Sequence, residues 1–215
     1  MVPRASTDET ERTAALYREQ LSFGATAIVV GLDEVGRGPV AGSLTVCAVV
    51  LPAQPQIRGL DDSKRLTAKK REALCGEIKA VASAWNLAHI APEDIDAAGM
   101  AACLRRAFSS ALGGLELERD PDAVLIDGNP LGIHPRERNI IKGDAKVASI
   151  AAASIVAKVT RDALMVKLDA QYPGYGLAQN KGYASPEHIK AIQTLGLSPV
   201  HRKTFCHNFL QQSLF

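Results

Sequence analysis

Apolar residues fall along this chain in two rhythms. Residues 27–32 and 44–51 are short, β-branched apolar runs, which predicts buried strands, and Pro52 ends the second. Gly36, Gly38, Pro39 and Gly42 lie between them, so the two are expected as an antiparallel pair joined by a wide connection. Residues 85–90 predict a weak third strand, 123–126 a fourth and 139–142 a fifth. Helical spacing fills the gaps. Ser6-Thr7-Asp8-Glu9 reads as a capping box opening a helix to about Gln20, which Gly24 closes. Thr67 can cap a helix through Ala84. Pro92, with Glu93, Asp94 and Asp96 behind it, opens another that runs to Gly113-Gly114. Residues 146–172 predict a long helix. Its stretch Ser149-Ile150-Ala151-Ala152-Ala153-Ser154 is small-sided and would let it lie close to a sheet, and Pro173-Gly174-Tyr175-Gly176 stops it. Ser185-Pro186 starts one more helix, followed by a helical tail. The order predicts an α/β layer with a mixed sheet.

Composition narrows the class. The 215 residues suffice for one sizeable core, at 47% hydrophobic and 22% charged. No apolar run approaches the roughly 18 residues of a membrane span, and the N-terminus has no signal-peptide core, so a cytoplasmic protein without a membrane partner is expected. Cys47, Cys75, Cys103 and Cys206 are scattered and read as reduced thiols. The net charge of +2 does not announce nucleic acid. Its distribution says more: Lys64, Arg65, Lys69, Lys70 and Arg71 cluster, as do Arg202 and Lys203, although on charge alone a solvated helix face is the plainer explanation.

The chemistry lies in the acids. Asp33-Glu34 follows an apolar run without a break, and two adjacent acids at the end of a buried strand are costly unless something neutralises them. Neighbouring strand residues face opposite ways, so both reach one site only if the strand ends or bulges there. Asp127 repeats the pattern after Val124-Leu125-Ile126, and Asp144 opens the long helix within Lys142-Gly143-Asp144-Ala145-Lys146. Taken singly, Asp127-Gly128 is a turn and Asp144 an N-cap. Together, three ends of core elements each present an acid beside a glycine, where ligands of open α/β sheets gather. Carboxylates without histidine or cysteine select Mg²⁺ or Mn²⁺. Two such ions about 4 Å apart can activate water and stabilise the leaving oxygen of a phosphodiester. His89 and His134 read as structural, while His201 and His207 fall in the basic tail.

These segments resemble the ribonuclease HII (type 2 ribonuclease H) family. The resemblance rests on Gly31-Leu32-Asp33-Glu34-Val35-Gly36-Arg37-Gly38-Pro39, Asp62-Ser63-Lys64, Ile126-Asp127-Gly128 and Lys142-Gly143-Asp144-Ala145-Lys146. Ser149 through Asp162, Tyr172-Pro173-Gly174-Tyr175-Gly176, Lys181-Gly182-Tyr183 and His201-Arg202 follow in the family's order. It covers roughly residues 11–206, leaving 1–10 as an N-terminal tail and 11–215 as one catalytic domain with a helical C-terminal extension. It implies a ribonuclease H-like fold with a mixed five-stranded sheet flanked by helices. It implies an endonuclease that hydrolyses the RNA strand of RNA–DNA hybrids and cuts 5′ of ribonucleotides embedded in duplex DNA, leaving 3′-hydroxyl and 5′-phosphate ends. The family's metal-binding acids match Asp33, Glu34, Asp127 and Asp144. Its Gly-Arg-Gly motif matches Gly36, Arg37 and Gly38, and its substrate-sensing tyrosine matches Tyr183. Ser43 departs from the family, which usually has proline there.

The residues fit that implication on their own terms. Glycines at 36 and 38 would let backbone approach a sugar–phosphate chain and hydrogen-bond a 2′-hydroxyl. Lys64, Lys146 and Lys158 are candidates for phosphate contacts. A DNA nuclease or integrase-like enzyme on the same fold would carry similar acids, without the Gly-Arg-Gly and Lys-Gly-Tyr signatures. A non-catalytic nucleic-acid-binding module would tolerate loss of an acid, and a dinucleotide binder would need a third glycine after Gly36-x-Gly38. A monomer is expected. The terminal Gln211-Gln212-Ser213-Leu214-Phe215 faintly resembles a sliding-clamp peptide.

Overall fold

The structure, a computed structural model, describes residues 7–210. Ser6 of the capping box and the clamp-like segment 211–215 lie outside them. The elements are α1 (Thr7–Leu21), β1 (Val29–Val35), β2 (Leu44–Val50), α2 (Ala68–Val81), β3 (Ala84–Ile90), α3 (Pro92–Ala98), α4 (Met100–Gly113), β4 (Ala123–Asp127), β5 (Glu137–Ile140), a 3₁₀ turn (Gly143–Ala145), α5 (Ala148–Gln171), α6 (Leu177–Asn180), α7 (Pro186–Leu195) and α8 (Lys203–Leu210). The strands form one mixed sheet in the order β3-β2-β1-β4-β5, with β1, β4 and β5 parallel in turn. Helices flank it, as the pattern predicted.

The chain forms two compact units. The first comprises the described parts of Met1–Glu34, Val46–Ala88 and Phe108–Val159; the second, those of Val35–Thr45, His89–Ala107 and Thr160–Phe215.

In the first unit β4 is apolar and buried through its first four residues, as a parallel strand covered on both faces must be. One side of its core joins Val29, Ala123, Leu125, Val147 and Ile150. Gly31 of β1 lies so close to the start of α5 that a Cβ there would overlap the Ser149 and Ile150 backbone. Ser149 and Ala151 to Ala153 are themselves fully buried. The small-sided run does what its composition predicted.

In the second unit the core gathers Val40, Ala41, Met165, Tyr175, Leu177, Ile192 and Cys206. The predicted caps hold: Thr67 accepts from Lys70 N–H in the first unit, and Ser185 from His188 N–H here, both at 3.3 Å.

Several boundaries differ from the pattern. The single helix expected from Pro92 to Gly113 is two, because Gly99 takes φ +78°, ψ +159°, which no helix continues through. β5 begins two residues early. The Glu137 carboxylate binds the Leu131 and Ile133 N–H groups at 2.7 Å each and fixes the strand's start, while left-handed Lys142 turns the chain after it. β1 continues through Asp33 and Glu34 and does not stop at Leu32. The four-residue α6 had no periodicity by which to be found.

Candidate active site

The register of β1 on β4 places the first two acids. Leu32 pairs with Ile126 in a parallel ladder, so Asp33 and Asp127 are the next residues at the same end of neighbouring strands. The third arrives by a turn. Lys142 adopts φ +57°, ψ +46°, the chain tightens into the 3₁₀ turn, and Gly143 N–H donates to Asp127 Oδ1 at 2.7 Å. Asp144 is thus carried to the other two by a hydrogen bond one of them accepts, and it is not the N-cap of α5. Ligand oxygens of Asp33, Asp127 and Asp144 lie within 4.8 Å of one another.

The group is poorly compensated. Asp33 is 6% exposed, and burial raises its pKa well above the carboxylate range. The charge of Glu34 raises it next, a hydrogen bond with Ser154 opposes this, and Asp127 raises it again. Ser154 in turn contacts the Ser63 hydroxyl at 3.0 Å. The pKa of Asp144, also 6% exposed, is raised by burial and then by the charges of Asp127 and Asp62, with Lys64 opposing. A divalent cation among the three oxygens would answer each of these costs. The donor set is oxygen alone, which suits Mg²⁺ or Mn²⁺ and does not suit zinc. Glu34 lies outside this group of three, as expected for the next residue on an unbroken strand.

The other predicted residues divide. Lys64 and Lys146 are exposed and Lys158 half-buried. Gly36 and Gly38, expected to serve one purpose, serve two. A Cβ on Gly36, at φ +95°, would strike the Arg161 side chain and the Ser43 carbonyl, so this glycine is required by internal packing. Gly38 is open, with a Tyr183 ring carbon 3.8 Å from where its Cβ would stand. Tyr183 is 48% exposed, so its ring is not part of the core. His89 is structural as read, 2.9 Å from the Thr45 hydroxyl.

Arg202 corrects the reading of a basic surface pair: it is fully buried. Its guanidinium donates to the carbonyls of Gly36, Arg37, Pro39 and Gly42 at 2.7–3.1 Å. Arg161 does the same for Ala41, Ser43 and Lys181. Ser43 thus contributes a carbonyl, which a proline would also supply. Arg71 leaves its cluster too, donating to Ser63 O at 2.8 Å and to Leu66 O. His201 is buried against His188 and does not lie on a basic tail. Ser63 and Ser154 were missed as site residues, although both stand inside motifs already marked.

Comparison with known proteins decides the family. A ribonuclease HII family model matches residues 30–209. The chain belongs to the ribonuclease HII family. Ribonuclease HII of Moorella thermoacetica is 45% identical over 207 residues, spanning 95% of this chain and 100% of that one. Ribonuclease HII of Cereibacter sphaeroides is 50% identical over 188 residues, 86% and 87% of the two chains. Among solved structures, ribonuclease H2 of Pyrococcus horikoshii superposes with a TM-score of 0.72 at 27% identity, covering 86% of this chain and 97% of that one. The fold is therefore ribonuclease H-like, and the chain is an endoribonuclease of the ribonuclease HII kind. Among the described residues no helix is long and apolar enough to cross a membrane.

Proposed function

We propose that this endoribonuclease, which cleaves RNA in RNA–DNA hybrids, also cuts duplex DNA on the 5′ side of single embedded ribonucleotides. Asp33, Asp127 and Asp144 would hold Mg²⁺ or Mn²⁺, and Glu34, next to Asp33 in the chain, would add its negative charge to the site. The observation that carries the reading is the meeting of three carboxylates, two of them buried, at the ends of adjacent core elements. A bound divalent ion supplies Lewis acidity toward the phosphate at the scissile bond.

The chain's own groups do the rest. Ser154 and the Glu34 N–H, the latter at 2.7 Å, fix the Asp33 carboxylate before any ligand arrives. Asp127 orients Asp144 through Gly143. Lys64, Lys146 and Lys158 contact phosphates and position the strand without reading it. Backbone groups of Gly36, Arg37 and Gly38 pair with the 2′-hydroxyl, the one group that marks a ribose. Tyr183 stacks on the deoxyribose that follows, where a 2′-hydroxyl would press against its ring.

The test is direct. The protein and Mg²⁺ are incubated with a DNA duplex carrying one ribonucleotide, an all-DNA duplex and an RNA–DNA hybrid. The first and third are cut, leaving 3′-hydroxyl and 5′-phosphate ends, and the second is not. Cutting of the all-DNA duplex, or an intact single-ribonucleotide duplex beside a digested hybrid, would overturn the reading.

A further inference from the structure

Behind Tyr183 runs a chain of hydrogen bonds whose direction can be worked out atom by atom. Ser198 N–H lies 3.0 Å from His201 Nδ1. A backbone N–H can only donate, so Nδ1 is bare and neutral His201 carries its proton on Nε2. That Nε2 is 3.1 Å from His188 Nε2, which must therefore accept. His188 then carries its own proton on Nδ1, 2.8 Å from the Tyr183 carbonyl. Both rings are buried, at 0% and 2% exposure, and Tyr175 packs against His201 with ring centroids 4.7 Å apart. Burial lowers the pKa of both histidines, that of His201 to about 4, which keeps the pair in the neutral state this direction requires.

The chain ends on a loop held from its other side as well. The Gly182 carbonyl accepts Val40 N–H at 2.8 Å and Ala41 N–H at 3.2 Å, and a Cβ on Gly182 would strike the Ala41 carbonyl. Tyr183 N–H donates to Asn180 O at 2.9 Å. The backbone is thus anchored at each step while the ring stands half in solvent. A ring that must meet a sugar face needs such an anchor, because half of it faces solvent and packing orients it only in part.

We infer that His188 and His201 are positioning residues for Tyr183. His201 selects the tautomer with which His188 holds the Tyr183 carbonyl, and that bond sets the ring where it distinguishes a single embedded ribonucleotide from continuous RNA. The inference rests on the role given to Tyr183 above. A pair that served packing alone would affect every substrate equally.

The measurement is the ratio of kcat/KM on a single-ribonucleotide duplex to kcat/KM on a long RNA–DNA hybrid. Loss of one hydrogen bond's worth of orientation lowers this ratio about fivefold in His188→Leu and in His201→Leu. His188→Asn places an amide where Nδ1 stands, and His201→Gln places one where Nε2 stands, so both keep most of the ratio. In the Tyr183→Ala background, His188→Leu changes the ratio no further, since the ring it would orient is gone. Equal losses on both substrates in His188→Leu, or a full additional loss in the Tyr183→Ala background, overturns the inference. Tyr183→Ala alone separates the two claims. If it lowers the ratio and the histidine variants do not, the reading of Tyr183 stands and the inference fails. If it leaves the ratio unchanged, both fail. Thermal melts accompany every variant. Should His188→Leu not fold, His201→Leu against His201→Gln decides, because the His201 ring acts on Tyr183 through His188.

Discussion

Each compact unit of this protein buries charge, and the two do so in opposite ways. In the first, the Asp33 and Asp144 carboxylates lie near Asp127, and their mutual repulsion adds to the cost of burial. In the second, Arg161 and Arg202 lie buried with every guanidinium nitrogen bonded to a carbonyl oxygen. Burial and then the like charge of Arg161 pull the Arg202 pKa down to about 10, still far above neutrality. The cations are solvated by the fold itself. The anions are solvated incompletely, by one hydroxyl and a few N–H groups, and the remainder is left to a ligand. A charge the fold satisfies is architecture, and a charge it leaves unsatisfied marks a candidate binding site.

The contrast can be broken at either end. The largest effect is expected at the acids. Asp33→Asn or Asp127→Asn should lower kcat by on the order of a thousandfold, while duplex affinity measured by fluorescence anisotropy stays within a few fold if basic and backbone groups hold the strand as proposed. Near-normal turnover in both Mg²⁺ and Mn²⁺ would move the metal site elsewhere. Next comes Arg202→Met, which strands four carbonyls, three of them buried, and should cost about 3 kcal/mol in a urea titration. A loss below about 1 kcal/mol would mean the loop reaches its conformation unaided.

A smaller effect sharpens the comparison. Mg²⁺ should raise the melting temperature of the wild type by about 2–4 °C more than that of Asp33→Asn, the shift worth about 1 kcal/mol in a chain this size. Equal shifts would place the ion away from Asp33. The smallest effect concerns pH without metal. The Asp33 pKa is raised from 3.8, so the folded state holds a proton the unfolded chain releases, and stability falls as pH rises above that value. His201 works the other way: its pKa is lowered from 6.5 to about 4, so stability falls as pH drops through that interval. Asp33→Asn should therefore reduce the decline toward neutral pH, leaving the smaller part due to the raised Asp144, and keep the acid-side decline intact. A wild type and variant with parallel pH curves would show that the Asp33 carboxyl is not destabilised by its surroundings.

The same contrast explains what the sequence could tell. Asp33 and Asp127 were legible because each ends an apolar run, and an acid at that boundary has no reason in packing. Asp144 was legible as a partner although its turn was not, since the left-handed Lys142 leaves no mark in residue type. Arg202 was misread because a buried arginine beside a lysine has the spelling of a surface patch. The carbonyls that satisfy it lie at Gly36, Arg37, Pro39 and Gly42, 160 to 166 residues earlier, and no local rule reaches so far. The break at Gly99 was hidden for a different reason: a glycine inside helical periodicity is usually tolerated, and only its φ shows that it ends one helix and precedes another.

The strand order has a consequence in time. β1 lies between β2 and β4, yet β4 comes late in the chain. During synthesis at about 5–20 residues per second, β1 must wait for roughly 90 further residues, some 5–18 seconds, before its second neighbour is made. Until then Val29, Val30 and Leu32 form an apolar edge with open N–H and C=O groups, the kind that pairs with other chains. Yield in a fast-translating host should thus depend on how quickly the segment between Val35 and Ala123 is delivered, before metal or substrate has any part to play.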